Sequence, residues 1–293
     1  MRPMSLWESR ESSGEVSLGS LFACNDKING TSKISFNELA FIACRGGYPE
    51  SISQEKELAL MAARNYMQSL IKTDLVEVDG IKRNSERAKS ILRSYARNIS
   101  SYAALKTIQS DVIANDNTLD FRTLESYLGA FEKLFVIEEI AAWSPKLRSK
   151  ATIRSANKRQ FCDPSLAAAV LGASPEDLIE DLNTFGLLFE SLCDRDLRVF
   201  TEALLGEVYH YRDNTGLEAD AIIHLNNGKW AAIEIKLGGD QIDEAAKHLL
   251  MLKEKIDADD VKEPEFLMIL TGTQYAYQRS DGVLVVPIGC LKD

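Results

Sequence analysis

The spacing of hydrophobic and polar positions changes several times along the chain, and each change predicts an element. In "SFNELAFIACRGGYP", Phe36, Leu39, Ala40 and Cys44 share one face at three- and four-residue intervals, and the pattern stops at Gly46 and Gly47 ahead of Pro49, as a helix end should. "SQEKELALMAARNYMQSLIKTDL" and "NSERAKSILRSYARNIS" continue the helical grammar, the second with Ile91, Tyr95 and Ile99 recurring every four residues. The preceding "MRPMSLWESRESSGEVSLGSLF" keeps neither period for most of its length and predicts an extended lead-in.

The middle of the chain reads differently. "SYAALKTIQSDV" predicts a short helix. "TLDFRTLESYLGAFEKLFVIEEI" starts at a capping Thr118 or Asp120, runs an apolar stripe through Phe121, Leu124, Tyr127, Leu128, Phe131 and Leu134, and passes into the strand "FVIEEIA". A second strand, "KRQFCD", follows a polar segment. Helix, turn, helix, strand, basic segment, strand is the order of a winged helix, in which the second helix or the wing meets DNA.

The last third opens with "DPSLAAAVLG" and "SPEDLIEDL", the latter with Ser174 as N-cap and Pro175 in the first helical position. A longer helix over "TFGLLFESLCDRDLRVFTEAL" comes next. "EVYHYRD", "EADAIIHL" and "KWAAIEIKLG" are short β-branched and aromatic runs, separated by the turn signals "NTG" and "NNG", and predict three consecutive antiparallel strands. The helix "QIDEAAKHLLMLKEKI" and the strands "EFLMILTG" and "GVLVVPIG" complete an α/β layer. No internal repeat or low-complexity tract interrupts the chain.

Composition narrows the class. With 293 residues, 45% hydrophobic and 27% charged, the chain is long enough for two or three packed domains. Five scattered cysteines, an odd number without a CxxC pair, suggest neither a disulfide framework nor a zinc site and fit a reducing cytoplasm. No signal-like or membrane-spanning run occurs, so no membrane association is expected. The net charge of -10 argues against nonspecific coating of nucleic acid. Yet "PKLRSKATIRSANKRQ" carries six cations and no acid inside this acidic chain. Arg148, Arg154, Lys158 and Arg159 from that segment, with Arg122 on the preceding helix and Arg212 in "YHYRD", are the candidate nucleic-acid contacts.

The candidate chemistry gathers on the strands. In "AAIEIKLG", Glu234 and Lys236 lie two apart and therefore on one face. The "NNG" hairpin carries Asp220 of the preceding strand toward Glu234, and the upstream helix offers Glu190 in "LLFESL". Carboxylates on this pattern can bind one or two hard divalent cations through oxygen, and a lysine beside them can orient water or stabilise charge on a phosphate. Asp220 and Glu234 are the candidate metal ligands, Lys236 the charge stabiliser, and Glu190 a further ligand or orienting group. The histidines have no ligand-like spacing. The site could also be a plain surface salt bridge.

The order Glu190, Asp220, Glu234-x-Lys236 on helix, strand and strand resembles the PD-(D/E)xK nuclease core, although Glu218-Ala219 stands where the motif's proline would precede Asp220. A wider resemblance covers nearly the whole chain. "PMSLWES", "GEVSLGSLF", "GGYPES", "LRSYARNIS", "FCDPSLAAAVLG", "GLLFESL", "YHYRD", "EADAII" and "AAIEIKLG" are similar to the C-terminal part of prokaryotic AAA-type P-loop ATPases that carry a winged-helix region and a nuclease-like domain. The resemblance implies an α and α/β fold. It divides into a helical region at 1–90 like the end of an ATPase module, a winged helix at 91–163 and a PD-(D/E)xK-like domain at 164–293. It implies Mg²⁺ or Mn²⁺ as cofactor, and DNA and an ATPase module or partner protein as partners. The ATPase core of that family lies upstream of "PMSLWES". No G-x-x-x-x-G-K-[S/T] occurs here, and Gly228-Lys229 is followed by Trp230 in a hairpin, so this chain alone is not expected to hydrolyse ATP. Three functions remain open: a metal-dependent nuclease, a noncatalytic DNA-binding or regulatory protein, and a protein-interaction module.

Overall fold

The computed structural model describes residues 2–23, 28–114, 118–145, 156–257 and 262–293. The chain is a mixed α/β protein with a mixed sheet. It separates into two compact units, neither continuous in sequence: a mainly helical unit of 40–139 and 158–191, and a sheet unit of 2–39, 140–157 and 192–293. The boundary expected at residue 90 falls inside the helix Ser85–Arg97.

In the helical unit, the helix Lys56–Ser69 runs into a π-helical turn at Leu70–Asp74. The helices Ser85–Arg97, Leu105–Ile113 and Phe121–Lys133 follow, with Asn84 and Asp120 capping the first and third by accepting hydrogen bonds from Arg87 N and Thr123 N. Strands β3 (Ile137–Ile140) and β4 (Lys158–Phe161) form a two-stranded sheet. Ser100 N donates to Arg159 O and Arg159 N to Ser101 O, both at 2.8 Å, so the link between the first two of these helices is tied to β4. Ile91, Leu92, Tyr95, Leu124 and Phe131 are buried, whereas Phe121, which opens the stripe of its helix, is exposed.

The sheet unit carries seven strands in the order β2 (Gly30–Thr31), β9 (Tyr275–Gln278), β10 (Leu284–Pro287), β8 (Leu267–Thr271), β7 (Trp230–Lys236), β6 (Glu218–Leu225), β5 (Gly206–Arg212). The three expected strands β5, β6 and β7 form an antiparallel meander, and β7, β8 and β10 run parallel. The helix Ile242–Asp257 crosses from β7 to β8, and its Ala245, Ala246, Leu249, Leu252 and Ile256 cover a core of Ile222, Trp230, Ala232 and Ile269. Two features were not anticipated: β9, and the incorporation of the N-terminal lead-in. The lead-in pairs β1 (Val16–Ser17) in parallel with β11 (Leu291–Lys292), adds β2 to the sheet edge, and donates Leu6 N to buried Asp196 Oδ2 at 2.9 Å.

Cys44, Cys162, Cys193 and Cys290 are buried free thiols. Among the described residues no helix is long and apolar enough to cross a membrane.

One buried carboxylate ties the helical unit together. Asp163, fully buried, caps the helix Pro164–Leu171 through Ser165 N at 2.9 Å, accepts from Ser165 Oγ at 2.6 Å, and accepts from Gly47 N at 2.9 Å. Gly46 beside it has φ +80°, and a Cβ there would strike the Ser165 hydroxyl and the Asp163 carboxylate, so glycine is required both for the turn and for the approach. Asp163→Ala is expected to cost about 2–4 kcal/mol, the loss of a cap plus charge-assisted bonds to donors left buried. A shift in the urea midpoint with an unchanged slope would show it.

Candidate functional site

The geometry of the sheet's centre follows from a register irregularity. Tyr209 of β5 lies opposite Ile222 and Tyr211 opposite Ala219, so a single β5 residue, His210, faces two β6 residues, Asp220 and Ala221. This is a β-bulge, a device that bends a strand and re-aims a side chain. It explains how Ala219 and Ile222, three apart, both enter the core under the helix Ile242–Asp257.

On the other side of β6 the ladder to β7 runs from His224 opposite Trp230 to Ala221 opposite Ile233. The next residues outward are Asp220 and Glu234. There the Asp220 side chain takes the place of a backbone acceptor: its Oδ2 accepts Ile235 N at 2.7 Å and Lys236 Nζ at 3.1 Å. Lys236 Nζ also lies 2.6 Å from Glu234 Oε2. One ammonium therefore bridges two carboxylates from adjacent strands.

Burial makes this trio unlike a surface salt bridge. Every β7 residue except Lys236 is buried, and Glu234 continues the row of Trp230 and Ala232 that packs beneath the helix. Glu234 is 2% exposed, and its Oε1 has no hydrogen-bond partner. Desolvation, reinforced by the Asp220 charge and only partly offset by Lys236, pushes its carboxyl up to about 8. Burial pulls Lys236 down, but its two carboxylate neighbours outweigh burial and hold the ammonium above its ordinary range. On the adjoining parallel strand, Lys236 lies opposite Thr271, a fully buried residue whose hydroxyl is 2.8 Å from that of Thr273. These hydroxyls carried no signal in the sequence beyond ending the apolar run "EFLMILTG".

The other candidates are placed differently. Glu190, expected as a third acid, accepts instead from Lys158 Nζ at 2.8 Å within the helical unit, which assigns this carboxylate to a buried ion pair. Lys158 is fully buried and Arg159 7% exposed. Arg159 pairs with Glu139, and its Nε donates to Ala103 O at 3.2 Å. Both are buried and paired, and their bonds hold β4. Arg122 is exposed in the first turn of the helix Phe121–Lys133. Arg212 is half exposed, opposite Glu218 with Nε 3.7 Å from the carboxylate. Arg148 and Arg154 lie outside the described residues.

Among the described residues no group of three or more His, Cys, Asp or Glu side chains is arranged to hold a metal. The available donors are two carboxylates, Asp220 and Glu234, one with a buried oxygen that nothing in the protein satisfies.

Comparison with known proteins finds two family models along the chain. One domain of unknown function (DUF8612) matches residues 37–177 and another (DUF4143) matches residues 185–291. The second is a domain often found in AAA-ATPase-associated proteins. No curated protein and no solved structure matches the chain.

The Glu234 carboxyl generates a prediction about pH. An acid whose folded-state pKa lies above its unfolded value takes up protons on folding, so its contribution favours the folded state below about 4.5 and is lost as pH rises to about 8. Glu234→Gln is expected to remove this fall, so the variant gains stability relative to the wild type as pH rises through that window. Paired urea titrations at both ends of the window measure it, and identical slopes for the two proteins would contradict it.

Proposed function

We propose that the chain is a nucleic-acid-acting module whose sheet carries a PD-(D/E)xK-like divalent-cation site, working with an AAA-type ATPase module as a metal-dependent DNA nuclease. The observation that carries this is Glu234 Oε1. An unsatisfied buried polar atom costs on the order of 1–3 kcal/mol, and more when charged, and nothing in the fold of β7 requires a glutamate at that position. A hard cation would satisfy that oxygen, and the all-oxygen donor pair of Asp220 and Glu234 suits Mg²⁺ or Mn²⁺. When bound, such an ion supplies Lewis-acid polarisation of a phosphoryl oxygen and a water of lowered pKa.

The chain's own groups have separate roles. Asp220 is oriented by the Ile235 N–H, which fixes its carboxylate. Glu234 supplies the second carboxylate from the dry side of the site. Lys236 remains protonated across the physiological range and, at the more exposed edge, offers an ammonium to phosphate charge that develops during hydrolysis.

A winged-helix reading of 91–163 is supported by the three helices, the strand pair and the Ser100–Ser101 tie to β4. Arg122 would then face the nucleic acid together with the basic segment that contains Arg148 and Arg154. One observation favours the noncatalytic reading, a nuclease-like binding or regulatory module: Glu190, the acid that would complete a trio, is committed to Lys158.

Calorimetric titration of Mg²⁺ and Mn²⁺ into wild type and Asp220→Asn, beside cleavage of single-stranded, duplex and branched DNA, tests the proposal. The expected result is metal binding weakened about tenfold or more in the variant, in line with losing one of two charged ligands, with metal-dependent cleavage by the wild type alone. Binding without cleavage supports the noncatalytic module. A wild type that binds neither metal overturns the site.

A further inference from the structure

The helical unit contains a second feature that the carboxylate site does not use, a cavity of about 880 Å³. Its floor is aliphatic, formed by Met67, Ile71, Leu92 and Val170, the first three of them buried. Its rim is cationic. Arg64 and Lys72 approach from the helix Lys56–Ser69 and its π-helical extension, and Lys89 and Arg93 from the helix Ser85–Arg97. All four are exposed, and among the described residues Lys72 and Arg93 have no ion-pair partner. Glu86 is the one carboxylate in the lining, and it is spent on Lys89 at 2.8 Å in a well-exposed pair, which is worth little and easily exchanged.

Four cations around one cavity in a chain of net charge -10 is a local inversion of charge, which costs self-repulsion unless an anion is recruited. Their placement selects the kind of anion. Arg64 and Lys72 are eight residues apart, a helical rise of about 12 Å, and Lys89 and Arg93 four apart, about 6 Å, so the charges line a track and do not converge on one point. A compact anion satisfies one end of such a track, whereas a polymer of regularly spaced phosphates follows it. The aliphatic floor can take the apolar faces of bases or sugars, and the Gln68 amide offers hydrogen bonds between the charges. The π-helical turn that brings Ile71 to the floor and Lys72 to the rim is a local irregularity frequent at functional sites.

We propose that this groove binds a single-stranded nucleic-acid segment, held by Arg64, Lys72, Lys89 and Arg93 through its phosphates. The identity of the polymer rests on the nucleic-acid reading of the chain given above. The groove itself needs neither metal nor cleavage.

The test is fluorescence anisotropy with a labelled oligothymidylate over a salt series in EDTA. It uses wild type, Lys72→Glu/Arg93→Glu, Asp220→Asn, and the equally charge-changed control Lys33→Glu/Lys106→Glu, with thermal melts to verify folding. Four phosphate contacts give a slope of log affinity against log salt of about -2.8, falling to about -1.4 when two are lost. The groove double variant is expected to bind at least about tenfold more weakly, while the control and Asp220→Asn stay within about twofold of wild type. Equal weakening of the control, or unchanged binding by the groove variant, overturns the groove. So does stronger competition by polyglutamate or by ATP than by unlabelled oligothymidylate. Because binding is read in EDTA, loss of the groove and loss of the metal site are separate outcomes: Asp220→Asn that binds the strand normally but no metal leaves the groove standing, whatever cleavage shows.

Discussion

The sheet unit is organised around a carboxylate that its own fold leaves partly unsatisfied. Glu234 sits at the end of the central strand β7, in line with residues that pack beneath a helix, and only one of its oxygens is bonded, to Lys236. Removing a carboxylate from water costs several kcal/mol even after relaxation, and a single shared ammonium returns part of that. The protein limits the cost in two ways. It raises the pKa of the acid, and it places the trio where the β6/β7 ladder opens, so that Lys236 still reaches water. An apolar residue at 234 would make a better core. That glutamate occupies the position, with Asp220 sharing its lysine, is what separates this arrangement from an incidental ion pair.

The bulge is the second half of the same constraint. Without the extra residue in β6, Ala219, three residues from Ile222, would leave the core. Asp220 bonds the Ile235 N–H and so holds β6 and β7 together at the point where backbone pairing ends. The acid is therefore both a structural clasp and a candidate ligand. Replacing it by asparagine preserves the shape and one acceptor, which makes that substitution a cleaner probe of charge than alanine.

The elements with clear periodicity were legible in the sequence. The meander β5 to β7 was bounded by Asn-Gly-type turns, and the helix Ile242–Asp257 showed its apolar stripe, so the convergence of Asp220, Glu234 and Lys236 could be inferred from a hairpin alone. The bulge was not legible, because it is a property of register between two strands and leaves no mark on either by itself. The ion pair of Glu190 was not legible for a similar reason: helical spacing shows that a residue is on a given face but not which cation lies across from it. Lys158 and Arg159 looked like the base of a basic loop. Strand β4 is buried at all four positions, and its polar side chains are matched by Glu190, Glu139 and backbone carbonyls from remote parts of the chain. The strands β1 and β2 are two residues each, too short to carry a period.

The same logic bears on counting cations along the sequence. "PKLRSKATIRSANKRQ" was conspicuous because its charges are contiguous, yet its last two cations are themselves buried and pair with Glu190 and Glu139. The groove's four cations are spread over thirty residues and two helices, and although "KRNSERAKSILRSYAR" is itself rich in cations, nothing in the sequence joins Lys89 and Arg93 to Arg64 and Lys72. Only the packing of the helices Lys56–Ser69 and Ser85–Arg97 against Pro164–Leu171 gathers them over an apolar floor. Whole-chain acidity then ceases to argue against contact with a polyanion. It confines that contact to the places where the fold has reversed the sign, and a strand drawn to such a place would be repelled elsewhere, which favours one register of binding over many.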